Sequence, residues 1–296
     1  MEVTRSRAGV GYRLRMRTVH LGLATLAVAC SASPEDTTPT SGDLRLLTYN
    51  VAGLPTGLAG PSVPTEERMP QIGAFLNAYD WVGLQEDFTE PGHELLLADA
   101  GHPVQYWFSE VLESTRALGS GLSTLVRVGE VVDYEETHYT ACNGTLDGAS
   151  DCLASKGFQI TTVRLGSERV DFINTHHEAG GGLEDEAART AQVDQILGAL
   201  AATEHAVVFV GDFNMRWSDP PDATELQRYA DAGLRDVCLE LDCPEPDRID
   251  RILVRDSANL MLTVSDWAVE PGYEDAEGAP LSDHDPVAAT IAWETR

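Results

Sequence analysis

The sequence predicts an α+β domain built on mixed β-sheet. Three observations carry this. Apolar, β-branched runs of strand length outnumber helical stretches. The helical stretches come singly. No regular strand–helix–strand alternation runs through the chain, which argues against a wholly parallel sheet.

The elements follow in order. Leu44 to Asn50 is an apolar run with a polar end, the first strand. Met69, Ile72, Leu76 and Tyr79 share one helical face, and Pro64, Glu66 and Glu67 suit that helix's start. Trp81 to Gln85 is the next strand. Glu94 to Ala100 reads as a short helix ended by Gly101. Gly121 to Val128, Val131 to Tyr139, Phe158 to Leu165 and Val170 to Thr175 read as strands. Val193, Ile196, Leu197 and Leu200 mark an amphipathic helix. Ala206 to Val210 is a buried strand leaving at Gly211, and Glu225 to Ala232 is helical. Ile249 to Arg255, Leu260 to Val269 and Val287 to Trp293 close the chain as strands.

The first 30 residues are expected to be a leader. Arg5, Arg7, Arg13, Arg15 and Arg17 precede the apolar run Leu21 to Ala29, too short to span a bilayer. Met16 offers an alternative start. The ending Ala27-Val28-Ala29-Cys30 suits lipidation of Cys30, and it also satisfies a plain secretory cleavage site. Export to the outer membrane or cell surface is therefore expected, with a secreted or periplasmic protein as the alternative. Residues 31–42, rich in Ser, Thr and Pro, read as a flexible tether. Residues 43–296 form one large domain, expected to be monomeric.

The formal net charge is −28. The leader holds five Arg and one Glu, so the remainder carries about −32. Such a surface repels nucleic acid and anionic lipid at long range. It does not exclude a phosphodiester, because bound divalent cations invert the local field. Setting Cys30 aside, Cys142, Cys152, Cys238 and Cys243 form an even set in an exported chain. The local pairs Cys142–Cys152 and Cys238–Cys243 need the least reorganisation; other connectivities are open to four cysteines.

Six strings place an acid, amide or imidazole at the end of an apolar run: LRLLTYNVAGLP, VGLQED, FINTHHEAG, VVFVGDFN, DRIDRIL and LSDHDPV. Phosphodiester hydrolysis requires charge neutralisation on the phosphoryl oxygens, an aimed water and a stabilised leaving oxygen. Oxygen ligands suit Mg²⁺ or Mn²⁺. An inward Glu86 is costly to bury, which makes it a metal-ligand candidate. Asp212 and Asn214 are two apart, so in an extended segment they point the same way and can hold a water and a phosphoryl oxygen. Asp250, inside a strand, finds a natural partner in His284. Asp87 reads as a solvated neighbour of Glu86.

In this order the strings resemble the endonuclease/exonuclease/phosphatase superfamily, the deoxyribonuclease-I-like fold, over Asp43 to Trp293. The resemblance implies a four-layer α/β/β/α sandwich of two mixed sheets flanked by helices. It implies that Asn50 and Glu86 hold the metal, with Asp283 close to it. It implies that His176 contacts the scissile phosphate. It also implies that Asp250 orients His284, which takes a proton from water. His177 departs from the family's usual apolar residue and reads as a rim residue near substrate. Arg216 is the cation closest to the GDFN loop.

The Gly-Leu-Pro of YNVAGLP and the Lys-Gly-Phe of CLASKGFQITTVRL resemble the sphingomyelinase-C-like branch. The expected function is a Mg²⁺-dependent phosphodiesterase of phospholipase-C type, acting on a phospholipid headgroup, with a membrane surface reached through Cys30. The alternatives are an extracellular nuclease, which should carry more rim Arg and Lys, and a surface lipoprotein that only binds, which should have lost a metal or imidazole position.

Overall fold

The computed structural model describes residues 38–54, 60–61, 63–145 and 151–296. The leader, Cys30 and the tether up to Thr37 lie outside the described residues.

The strands are β1 (Ser41–Asn50), β2 (Trp81–Gln85), β3 (Val104–Phe108), β4 (Leu122–Val126), β5 (Glu130–His138), β6 (Gly157–Leu165), β7 (Glu168–His176), β8 (Ala206–Asp212), β9 (Arg235–Asp236), β10 (Asp250–Arg255), β11 (Leu260–Val269) and β12 (Val287–Thr295). The helices are α1 (Thr65–Leu76), α2 (Glu90–Leu97), α3 (Leu183–Ala202), α4 (Pro220–Asp231) and α5 (Val237–Glu240). None of the described helices is long and apolar enough to cross a membrane.

The strands form two six-stranded mixed sheets, ordered β11-β12-β1-β2-β4-β3 and β5-β6-β7-β8-β10-β9. Each sheet has one parallel pair near its centre, β1–β2 in the first and β7–β8 in the second. The other pairs are antiparallel. Each parallel pair is joined through a helix, α1 or α3, as a parallel crossover requires.

Strand alternation explains the layers. Leu44 and Leu46 of β1, with Val208 and Val210 of β8, face the apolar core between the sheets, beside Trp81 and Phe172. The intervening Leu47 and Tyr49 face α1, packing with Met69, Ile72 and Leu76. Val207 and Phe209 face α3 and α4, packing with Val193, Ile196 and Tyr229. Burying a side chain of this size contributes roughly 1.5–3 kcal/mol. The expected four-layer sandwich is therefore present.

Towards one edge the space between the sheets turns polar. Gln85 Nε2 donates to Asn174 Oδ1 at 2.8 Å and Thr124 Oγ1 to Gln159 Oε1 at 2.8 Å. Asn174 Nδ2 donates to the carbonyls of Leu84 and Ser123. These buried groups are paired across the interface, so they set the alignment of one sheet on the other.

Several boundaries differ from expectation. Ser41 and Gly42, expected in the tether, already pair with Glu294 and Trp293. β3 was not expected as a strand; its aromatic residues form a sheet edge. α2 begins at Glu90, not Glu94, because Thr89 caps it and Pro91 opens it. α4 likewise starts at Pro220, ahead of the expected Glu225. Both predicted disulfides are present, with Cα separations of 5.3 Å for Cys142–Cys152 and 5.0 Å for Cys238–Cys243.

Candidate active site

The topology brings the candidate residues to one edge. Asn50 ends β1 and Glu86 follows β2, at the carboxyl ends of one parallel pair; His176 and Asp212 end β7 and β8 and stand in register. Asp250 opens β10 directly opposite Asp212. Asp283 and His284 lie just before β12.

Asn50 joins the two sheets. Its Nδ2 donates to Glu86 Oε1 at 3.0 Å and to Asp212 Oδ2 at 3.1 Å. Asp212 Oδ2 also lies 3.4 Å from His176 Nε2 and 3.8 Å from His284 Nε2. His284 Nδ1 sits 2.9 and 3.1 Å from the two oxygens of Asp250, which is 4% exposed. The imidazole–carboxylate pairing expected from the sequence is thus formed.

Asn214 is close to Asp212, but not by strand alternation. It adopts φ 51° beyond the end of β8, and its N–H donates to Asp212 Oδ1 at 3.0 Å. An Asx turn, not an extended segment, holds the pair. Glu86 is also left-handed, at φ 60°. Non-glycine residues held in that region cost of order 1–3 kcal/mol and concentrate at functional sites. Gly211, inside β8, lets that strand pass close to β7: a Cβ there would lie 2.2 Å from the Thr175 carbonyl oxygen.

Two readings of individual residues are corrected. His177 is not at the rim. It is fully buried among Tyr139, Phe213 and Tyr229, and both tyrosine hydroxyls lie within hydrogen-bond reach of its ring. Burial pushes its imidazole down to about 3, so it is neutral. Its backbone, not its ring, serves the site: the carbonyl accepts from Asn214 Nδ2 and Lys156 Nζ, and the N–H donates to the Asp212 carbonyl at 2.9 Å. Asp87 is not solvated: at 1% exposure it takes hydrogen bonds from Ser123 Oγ at 2.7 Å and pairs with His93 Nδ1 at 2.6 Å. Arg216, the cation next to the GDFN loop, is exposed. With Arg248, Asp250, Asp283 and His284 it lines a cleft of about 590 Å³.

Sequence reasoning missed Lys156. It is buried, pairs with Asp151 Oδ1 at 2.6 Å, and reaches His176 Nε2 at 3.1 Å. It is the only lysine in the chain and directly precedes the strand paired with β7. That was the available signal.

The electrostatics are uneven. Burial, then Lys156, hold His176 well below the usual imidazole range, so it is neutral. Burial alone would lower His284 too, but its hydrogen bond to Asp250 and the surrounding carboxylates raise it to about 10. Burial raises Glu86. Burial and then the charge of Asp250 raise Asp212 to about 6. A cation placed beside carboxylates raised by burial would favour their charged form. Ligand atoms of Asp212, Asp250 and His284 lie within 4.8 Å of one another. Because Asp250 and His284 pair with each other, the oxygens of Asp212, Glu86 and Asn50 are the donor set that fits a hard divalent cation such as Mg²⁺ or Mn²⁺. Asp283, the third expected metal residue, is exposed at the mouth of the cleft.

The profile of the Endonuclease/Exonuclease/phosphatase family matches residues 47–284. The chain belongs to this family. Within it, the chain is similar to sphingomyelinases. A Mycobacterium tuberculosis (strain ATCC 25618 / H37Rv) sphingomyelinase is 32% identical over 292 residues, covering 90% of this chain and 56% of that protein. The chain thus spans about half the length of the mycobacterial relatives it matches. Sphingomyelinase C from Bacillus cereus is 24% identical over 328 residues, covering 92% of this chain and 96% of that protein. The crystal structure of sphingomyelinase C from Streptomyces griseocarneus has the same fold, with a TM-score of 0.63, 23% identity, and coverage of 84% of this chain and 99% of that one.

Proposed function

We propose that this domain hydrolyses a phosphodiester by in-line attack of water, as an exported phospholipase-C-type enzyme acting on a sphingomyelin-like headgroup. One observation carries the chemistry: two imidazoles of opposite character flank the same carboxylate oxygen, His176 at 3.4 Å and His284 at 3.8 Å from Asp212 Oδ2. Similarity to curated sphingomyelinases supports the substrate class.

In this reading His284, oriented by Asp250, accepts the proton of the attacking water; a bound cation, by offsetting the carboxylates that raise this imidazole, would leave it neutral to do so. Asp212 and Asn214 aim that water. The Lys156 ammonium and His176 meet the phosphoryl oxygens, where charge develops in the transition state. Asn50, Glu86 and the carboxylates of Asp212 and Asp283 are the residues that would hold Mg²⁺ or Mn²⁺. When bound, the ion supplies charge neutralisation and lowers the pKa of water. The acidity of the chain fits a zwitterionic headgroup better than a long polyanion. Export, with or without lipidation of Cys30, is part of this proposal and rests on the sequence alone.

The test is a hydrolysis screen with Mg²⁺ of sphingomyelin vesicles, phosphatidylcholine, bis-p-nitrophenyl phosphate and double-stranded DNA. Release of choline phosphate from sphingomyelin is expected. Efficient DNA cleavage without any choline phosphate would replace the lipid assignment with a nuclease.

A further inference from the structure

Arg68 is a buried cation that the proposed chemistry does not use. It lies on α1, is 1% exposed, and ranks among the largest fully buried side chains of the described residues. Burying a guanidinium carries a desolvation cost of several kcal/mol, which must be offset by well-placed acceptors. Here the acceptors are backbone carbonyls. Nη1 donates to Val51 O at 2.9 Å and Leu281 O at 2.5 Å, Nη2 to Ala52 O at 2.7 Å, and Nε to Val63 O at 3.0 Å.

The identity of those carbonyls is informative. Val51 and Ala52 directly follow Asn50. Leu281 directly precedes Ser282 and Asp283. Ser282 Oγ in turn donates to Asn50 O at 2.6 Å, tying the same two segments a second time. The 51–53 turn is also pinned to the Glu86 loop, since Val51 N–H donates to Gln85 O and Gly53 N–H to Glu86 O, both at 2.9 Å. Ala52, gripped by Nη2, is held at φ 48°, a conformation it would otherwise avoid. One guanidinium fork therefore fixes two of the three segments that carry Asn50, Glu86 and Asp283, and the third hangs from the first. Lysine has no such fork.

We infer that Arg68 is a positioning residue for the divalent cation, preorganising Asn50, Glu86 and Asp283 before the ion arrives. This rests on the metal assignment proposed above. The cost of moving these ligands together is met during folding, so it is not subtracted from metal affinity.

The test uses metal-stripped protein titrated with MgCl₂ and with MnCl₂ by calorimetry, without substrate. Arg68→Met and Arg68→Lys are compared with Ile196→Ala, a core variant on the face of α3 that packs against the other sheet. Arg68→Met should weaken Mg²⁺ binding at least about 10-fold, and Arg68→Lys by a smaller factor, whereas Ile196→Ala should leave the affinity within about 2-fold even where its melting temperature falls as far. Arg68→Lys keeps the charge and decides the matter alone if Arg68→Met does not fold. Wild-type affinity in a folded Arg68 variant, or an equal loss in Ile196→Ala, would leave Arg68 an ordinary structural residue and overturn the inference. A wild-type protein that binds neither ion would remove the metal reading itself, and the inference with it.

Discussion

Replacing Asp250 with asparagine separates orientation of the imidazole from its presence. Asp250 is buried, and both its oxygens lie within 3.1 Å of His284 Nδ1. Asparagine is nearly isosteric, so the ring can keep one hydrogen bond while losing the charge that raises its basicity. A hydrogen bond to a buried charge is worth about 1.5–3 kcal/mol. At about 1.4 kcal/mol per factor of ten, that predicts a fall in kcat/KM of roughly 10- to 150-fold. His284→Ala removes the proposed proton acceptor outright and should cost about 10² to 10⁴. Because Asp250 acts through His284, the double variant should be no worse than His284→Ala alone. The assay is release of p-nitrophenol from bis-p-nitrophenyl phosphate at saturating Mg²⁺, followed across pH. In Asp250→Asn the rising limb, which requires a neutral imidazole, should shift to lower pH. Losses that add in the double variant, or an Asp250→Asn enzyme slower than His284→Ala, would falsify the orienting role.

Other outcomes can be checked alongside. His176→Ala should lower kcat by about 10² or more with an unchanged circular dichroism spectrum; a fully active variant contradicts its contact with the phosphate. EDTA should abolish hydrolysis and Mg²⁺ or Mn²⁺ restore it, with a melting temperature that climbs as the ion is titrated in; activity that survives EDTA removes the metal from the reaction. His284 in the metal-free protein is raised from 6.5 to about 10, so the folded state holds that proton more tightly than the unfolded chain. The resulting stabilisation is fully present below the unfolded value and lost as pH rises towards 10, so melting points in EDTA should fall across that window and His284→Asn should flatten the fall. Reducing either disulfide should cost about 2–3 kcal/mol in the chain-entropy model; urea midpoints that do not change on reduction would refute it.

Most of the candidate edge was legible because polar residues stand where apolar runs begin or stop. Asn50, Glu86, His176 and Asp212 stand at or just beyond the ends of buried strands, Asp250 opens one and His284 lies just before another, and the structure gathers them. Side-chain surroundings were less legible. His177 and Asp87 look like exposed neighbours in sequence, yet both are buried by partners from other elements, Tyr229 in one case and Ser123 in the other. Lys156 stands outside any polar-ended strand and enters the site only because β6 pairs with β7. Helix starts were placed late for a local reason. The first turns of α2 and α4 are polar and opened by proline, so apolar periodicity begins only in the second turn. Asn214 shows the reverse: the contact was anticipated, but a left-handed turn achieves it.

The chain returns to the sheet in which the domain began. β12 lies against β1, with Ser41 opposite Glu294, and the loop just before β12 delivers His284. Pairing across so long a separation is slow to form and comes late. β1 pairs on one edge with β2, close in sequence, but its other edge is filled only by the last strand of the domain. A half-made chain can therefore present Asn50, Glu86 and His176 and still lack the proton acceptor. For a hydrolase of the proposed class, a fragment that stops short of β12 would keep Asn50 and Glu86 in place and leave His284 without the strand that seats it.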